Sequence, residues 1–473
     1  MLLVVAALVL VSGGCERADR RLGAVTRLNQ VAGDVEAHSW PDYTDIVVRN
    51  GVVTATWMAP TGPSNSDIVV RTSTDSGATW QEEVRPNRPE FADTISVSPR
   101  VVRFPESDGL LLLWQSRRNL LGQKFVVARR SEDGGRTFGP FHALNSIPQA
   151  FLPVSATRGK GEVVVAWTDE RRVSRDIIAN RSTDGGRSWL AHDVLVTRNV
   201  EADGGEPTVA LGPGGEAVLV WEERRSHRRG NARKPHLLGV YSTDVGASFS
   251  APAPVEKEYP QKSPLWPRLA VSGDRYSLVW ASAIAGASHQ SWLYLSQSTD
   301  AGRSWTPATE IFRGEEAPFH RIQADGEQVY LVWHGGPRTD IGIYFQASDD
   351  GGASWRHPWA EVQRLDSSPQ WDNAFRPALA SDGSGAVVVA WVEAKRRVVL
   401  RWSRDYGRSW SEPLLIAEEV EGGTLHHPRL AVEDGRAHIL WERWPDKSKH
   451  IKTLLDVDKP LPRDIFVRPV ELD

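Results

Sequence analysis

The sequence predicts an all-β fold, a single β-propeller of eight four-stranded antiparallel blades, with seven blades as the alternative count. Three observations predict it. A phrase of eight residues comes back seven times, an apolar run ending in tryptophan comes back eight times at a spacing of roughly 55 residues, and no stretch keeps a helical period. The 473 residues would make about three average domains by length alone, but a repeat of this size overrides that arithmetic and joins residues 24–473 into one unit.

The tryptophan runs are the second strands. They read "TATW" to Trp57, "LLLLW" to Trp114, "VVVAW" to Trp167 and again to Trp391, and "HILW" to Trp441, with equivalents ending at Trp221, Trp280 and Trp333. A short apolar segment and a turn precede each run, as in "PTVALGPGGE" before Trp221, and supply the first strand. A third segment such as "RDIIANR" leads into the repeated phrase, and a fourth such as "DVLVTR" closes the unit. Gly, Asp, Asn and Pro at the joints favour tight antiparallel connections. The last unit lacks the phrase, "LLDVDKPLP" standing in its place. Two segments compete to close the ring, "AVTRLN" at residues 24–29 and "IFVRPVEL" near the C-terminus, since a propeller is often closed by a terminal strand that removes an open edge.

The repeated phrase follows the pattern S-x-D-x-G-x-[ST]-[WF], as in "STDGGRSW" from Ser182 to Trp189, with Asp75, Asp133, Asp184, Asp244, Asp300, Asp350 and Asp405 as its acids. Each residue type has a turn role. The carboxylate accepts backbone N–H groups of the following residues, the glycine supplies positive φ, the hydroxyls tie two strands and the ring covers the hairpin. A catalytic group is not needed seven times over, so the phrase is structural. Calcium is not expected, because one Asp cannot supply six to eight oxygens and no acid follows at the bidentate position. Neither a metal nor a cofactor is implied anywhere in the chain.

The phrase resembles the Asp-box, or bacterial neuraminidase repeat, of the sialidase-like propellers, and the resemblance spans residues 44–455. It implies a propeller whose boxes lie at the blade periphery, on the face away from the active site. It implies no single activity, because Asp-boxes occur in sialidases, other glycoside hydrolases, sorting receptors and photosystem assembly factors alike.

Residues 1–15 read as a signal peptide: "MLLVVAALVLVSGG" is apolar and ends in small residues, directly before Cys15, the one cysteine. "VSGGC" resembles a bacterial lipobox, which implies lipid attachment at Cys15 and an extracytoplasmic protein anchored to a bacterial membrane. The segment departs from that pattern in having no Lys or Arg before Cys15 and Ser12 where lipoboxes carry Leu. With one cysteine, packing alone must stabilise the exported fold. A net charge of −4 gives no reason to expect nucleic acid, and membrane contact is expected through the anchor or signal segment only. A monomer is expected.

If the boxes mark one face, chemistry belongs on the other, where the loops after each marker Trp meet the starts of the first strands. Glu170, Glu222, Glu223, Glu393 and Glu442 lie within three residues of their Trp, and Glu222, Glu442 and Glu170 are the catalytic candidates. Arg100, Arg268, Arg321 and Arg429 recur at first-strand positions, with Trp266, Phe319, His426 and His427 beside them. Converging arginines bind carboxylates and aromatic rings stack on sugars, so Arg100, Arg268, Arg321, Arg429, Trp266 and His427 are the ligand-binding candidates. The bland reading of repeated Arg and Glu is structural pairing across blades. The loop from Glu223 to Lys234 gathers cations that suit an anionic group or a solvated insertion.

The sialidase resemblance implies an [FY]-R-I-P motif near the N-terminus and a late tyrosine nucleophile paired with Glu. The sequence has neither: "FHRIQ" at 319 and "FRP" at 375 come too late, and no Tyr follows Tyr406. Of its tyrosines, Tyr43 and Tyr259 alone fall near first-strand starts. The expectation is therefore a glycan- or protein-binding module at the cell envelope. A glycoside hydrolase acting on acidic sugars and an assembly scaffold for envelope complexes are the alternatives.

Overall fold

The computed structural model describes residues 19–29, 44–62, 65–91, 94–104, 109–118, 122–159, 161–171, 175–197, 203–224, 236–256, 263–283, 290–315, 319–337, 339–367, 374–445 and 463–472. Apart from one 3-10 turn at Trp359–Glu361, its elements are strands. They form eight blades in which strands one to four pair in antiparallel order. The first strands are Thr44–Arg49, Thr94–Arg103, Ala150–Arg158, Asp203–Leu211, Ser263–Ser272, His320–Asp325, Ala374–Ser381 and Thr424–Glu433. Successive first strands pack on one another round the whole ring, the eighth against the first, and so surround the axis. Blades 1 and 2 share a sheet because Ser66 and Ile95 pair across them. The fourth strand of blade 1 is reduced to a bridge between Val70 and Val84.

The tryptophan repeat explains how the blades hold together. Trp57, Trp114, Trp167, Trp221, Trp280, Trp333 and Trp391 are fully enclosed, and Trp441 nearly so. The second strands that carry them are apolar on both faces, because each blade is sandwiched between two others. The buried side chains divide into clusters that straddle every one of the eight blade interfaces. Trp114, Ile68 and Val70 join blades 1 and 2, for example, and Trp57, Leu440 and Val467 join blades 8 and 1.

Closure uses both of the segments that compete for it in the sequence. In blade 8 the strands Thr424–Glu433 and Arg436–Trp444 are followed by the C-terminal Asp464–Glu471 as third strand, and the N-terminal Thr26–Arg27 pairs outside it. The bond from Glu471 N to Arg21 O, the bond from Gly23 N to Pro469 O and that from Leu28 N to Ile465 O extend this seam. In this blade the third and fourth strands come from opposite ends of the sequence, so no turn of the repeated kind joins them. "LLDVDKPLP" is not a remnant of the phrase. It falls between the second and third strands, outside the described residues.

The seven phrases form one turn. In each, the Ser hydroxyl donates to the Asp carboxylate and accepts the N–H of the Gly four residues on, while the Asp accepts the backbone N–H and hydroxyl of the later Ser or Thr. In the third copy these are Ser182, Asp184, Gly186 and Ser188, at 2.7 to 2.9 Å for the bonds to Asp Oδ1 and to Ser Oγ. The aromatic residue that follows packs on the core between blades, as Trp189 and Trp410 do. Bonds such as Gly185 N to Gly161 O and Ser76 N to Gly51 O tie these turns to the ends of the first strands. They therefore lie on the opposite face from the first-strand starts.

Candidate functional site on the first-strand face

Six of the eight first strands carry the same irregularity near their start. In blades 2, 3, 4, 5, 7 and 8 the register against the second strand slips by one residue, between Val97 and Arg100, Leu265 and Arg268, Phe375 and Ala378, and His426 and Arg429 among others. Five of the bulges contain a proline, at Pro99, Pro153, Pro267, Pro377 and Pro428, and in blade 4 Pro207 borders the bulge, paired with Trp221. A residue with no N–H to give to the ladder is tolerated at a bulge, and the bulge turns its neighbour out of the pleat. Those neighbours include Ser98, Trp266, Arg376 and His427, at φ of 54°, 54°, 52° and 49°. Positive φ at a non-glycine residue is costly and held only by its surroundings.

What holds and what is held can be followed across blades 4 to 8. Glu222, buried behind Trp221, accepts the Trp266 N–H at 2.6 Å. The Trp266 ring stacks on Phe319, with centroids 4.8 Å apart and planes 12° from parallel. The Arg376 guanidinium lies 5.2 Å from the Phe319 centroid and bonds to His427 Nε2. His427 Nδ1 lies 3.3 Å from Glu442 Oε2, which also accepts the Trp444 indole N–H and a bond from Arg463, both at 3.0 Å. The Arg463 guanidinium covers the Trp444 ring at 3.7 Å, and His426 stacks on that ring at 4.0 Å. Trp266, Phe319, Arg376, His426 and Trp444 are half-buried and face outward, whereas Glu222, His427, Glu442 and Arg463 are buried beneath them.

The electrostatics follow from this layering. Burial pushes the Glu442 carboxyl up, but His427, Arg463 and the Trp444 N–H outweigh it and hold it at about 2. Burial holds His426 down to about 3 and lowers His427, so both imidazoles are neutral at ordinary pH. His334 behaves likewise, at about 3, through burial and the nearby Arg376. The surface layer is thus aromatic with the half-buried charge of Arg376 among its rings, above an ionised carboxylate and neutral imidazoles.

The residues singled out in the sequence separate into groups. Trp266, His427, Glu222 and Glu442 come together in this array. Arg100 and Arg429 come together elsewhere on the ring, both acting on Asp45, whose carboxyl burial raises and the two arginines lower. Asp45 accepts the Val101 N–H from the next blade at 3.0 Å. Arg268 and Arg321 donate to the carbonyls of Pro267 and His320 at 3.0 Å. Glu170 stands apart from the array, bound to Lys124 at 3.1 Å and Arg175 at 3.3 Å. Glu223 pairs with His236 at 2.5 Å, and Glu393 with the Trp391 indole at 2.9 Å. Tyr43, Tyr259, Cys15 and most of the cationic loop after Arg224 lie outside the described residues. Sequence reasoning passed over Arg376, His334, Trp444 and Arg463. The recurring X-Pro at the first-strand starts was the signal that would have found Arg376.

Among solved structures the chain is similar to an ulvan lyase of polysaccharide lyase family PL25, solved bound to -[GlcA(1-4)Rha3S]-. The TM-score is 0.51 at 12% identity, over 80% of this chain and 96% of that one. The shared property is the propeller fold. The chain also aligns with the Hadza microbial sialidase Hz136 at a TM-score of 0.41 and 12% identity, over 95% of each chain. A Penicillium chrysogenum alpha-L-arabinanase complexed with arabinobiose gives 0.42 at 17% identity, over 72% of this chain and 100% of that one. No protein-family model and no curated protein sequence matches the chain.

Proposed function

We propose that this chain is an exported Asp-box propeller that binds an acidic glycan at the cell envelope through Trp266, Phe319, Arg376, His426 and Trp444. The observation that carries the reading is the stacked Trp266–Phe319 pair with the Arg376 guanidinium beside it. Flat rings offer a surface for the C–H face of a sugar, and a guanidinium offers paired donors to a carboxylate or sulfate. The lyase of the same fold, solved with a glucuronate- and sulfate-bearing saccharide, supports a ligand of that class. Glu222 and Glu442 speak for binding over hydrolysis, because both are buried and already engaged by N–H donors.

Calorimetric titration of the full chain with a uronate- or sulfate-bearing polysaccharide and with a neutral one tests this. Preferential binding of the acidic polymer, weakened by salt and lost in Arg376→Ala, is the expected result. No binding, or equal affinity for both polymers, would overturn it. Chain cleavage that disappears in Glu222→Gln or Glu442→Gln would instead make the protein an enzyme. Attachment through Cys15 belongs to the same proposal, and Cys15→Ser protein that stays in the membrane fraction would refute it.

A further inference from the structure

In blades 3, 4 and 6 the side chain that follows the marker tryptophan reaches the bulge of the next blade. Thr168 Oγ1, after Trp167, donates to Gly205 O in blade 4 at 3.0 Å. Glu222, after Trp221, accepts the Trp266 N–H in blade 5. His334 Nδ1, after Trp333, accepts the Arg376 N–H in blade 7 at 3.4 Å. Where this position is Ala281, after Trp280, the first strand of the following blade pairs without a bulge. The support is particular to these blades: Met58 and Val392 also follow their tryptophans ahead of bulged strands, and Glu442 precedes a regular one.

From this we propose that Glu222 and His334 are positioning residues of the glycan face. Glu222 fixes the backbone from which Trp266 projects, and His334 fixes the backbone from which Arg376 projects, without either touching the ligand. The proposal rests on the binding function above and assigns the two halves of that site to separate supports. A backbone amide caught at positive φ by a buried acceptor has one arrangement, so the ring and the guanidinium are set before the ligand arrives and less ordering is lost on binding.

The role is that of an acceptor, so a neutral side chain of similar reach replaces it. Glu222→Gln is expected to bind an acidic polysaccharide within about twofold of the wild type, and Glu222→Ala about tenfold more weakly. His334→Asn and His334→Ala are expected to differ in the same sense, with the loss in His334→Ala confined to acidic polymers. The direct readout is hydrogen–deuterium exchange of the Trp266 and Arg376 amides in the full chain without ligand. It is slow in wild type and the acceptor-keeping variants, and fast in the alanine variants.

Unchanged exchange in Glu222→Ala, or an equal loss of affinity in Glu222→Gln and Glu222→Ala, overturns the proposal. A wild-type chain that binds no glycan removes the proposed function, and the exchange measurement still decides the role of the two residues. Should an alanine variant fail to fold, rapid exchange of the Trp266 amide in wild type or in Glu222→Gln would overturn the proposal by itself.

Discussion

Arg463 and Glu442 form an ion pair, 3.0 Å from Nη1 to Oε2, with both side chains fully enclosed. Glu442 follows the last marker tryptophan and Arg463 precedes the C-terminal strand, so the pair links the second and third strands of the closing blade under Trp444. Two charges taken out of water in this way are tolerated only together. Arg463→Met is expected to cost about 3–5 kcal/mol, because it strips Glu442 of its full counter-charge. The double variant Arg463→Met with Glu442→Gln should recover part of that loss in urea unfolding. A double variant less stable than Arg463→Met would show that the pair is not coupled.

The N-terminal seam gives a second expectation. Leu28, Val467 and Val470 are fully buried at the closing blade, and residues 21–28 supply its outer main-chain partners. Removing residues 1–29 uncovers the edge of the C-terminal strand and part of the cluster between blades 8 and 1. An uncovered, long edge recruits other chains. The truncated protein should unfold at lower denaturant and associate as concentration rises, measured by size-exclusion chromatography with light scattering. A monomer of undiminished stability would contradict the two-terminus closure.

Acid should weaken the fold through its buried histidines. His334 is 2% exposed, and burial with Arg376 nearby holds its imidazole at about 3, against 6.5 when unfolded. The unfolded chain therefore takes up a proton that the folded chain refuses between those values. The contribution to stability is whole above about pH 6.5 and is lost as pH falls toward 3. His426, also held at about 3, acts in the same direction. Between about pH 7.5 and 5.5, each should lower the unfolding free energy by about 1 kcal/mol, by linkage. His334→Asn removes its share of this slope. Identical slopes in wild type and His334→Asn would mean that His334 titrates alike in the folded and unfolded states.

The blade architecture was legible because it is written in period: an enclosed tryptophan recurs in all eight blades and the turn phrase in seven. The site was legible only in part, for the opposite reason. Glu222, Glu442, Trp266 and His427 stood out by type and place, whereas Arg376 is marked in the sequence only by the proline after it and joins them through contacts between blades. The repeated arginines do not converge on this array: Arg100 and Arg429 act on Asp45, and Arg268 and Arg321 donate to the carbonyls of Pro267 and His320. The carboxylates of the post-tryptophan loops could not be told apart by sequence either. Glu170 turns to Lys124 and Arg175 at the surface, while Glu222 turns inward to a neighbouring backbone.

The turn face offers a clean separation of stability from function. Asp184 accepts the Ser182 hydroxyl, the backbone N–H groups of Arg187 and Ser188 and the Ser188 hydroxyl. These bonds hold its carboxyl at about 2, against the burial that raises it. Asp184→Ala leaves those donors to water or to nothing, and a loss of about 1–3 kcal/mol is expected, at the scale of bonds to a charged group. Because the turn lies at the far end of the blade from Trp266 and Arg376, glycan affinity of the folded variant should equal that of the wild type. A variant of Asp184 that keeps its unfolding midpoint but loses glycan binding would place the ligand on the turn face and displace the site argued for the first-strand starts.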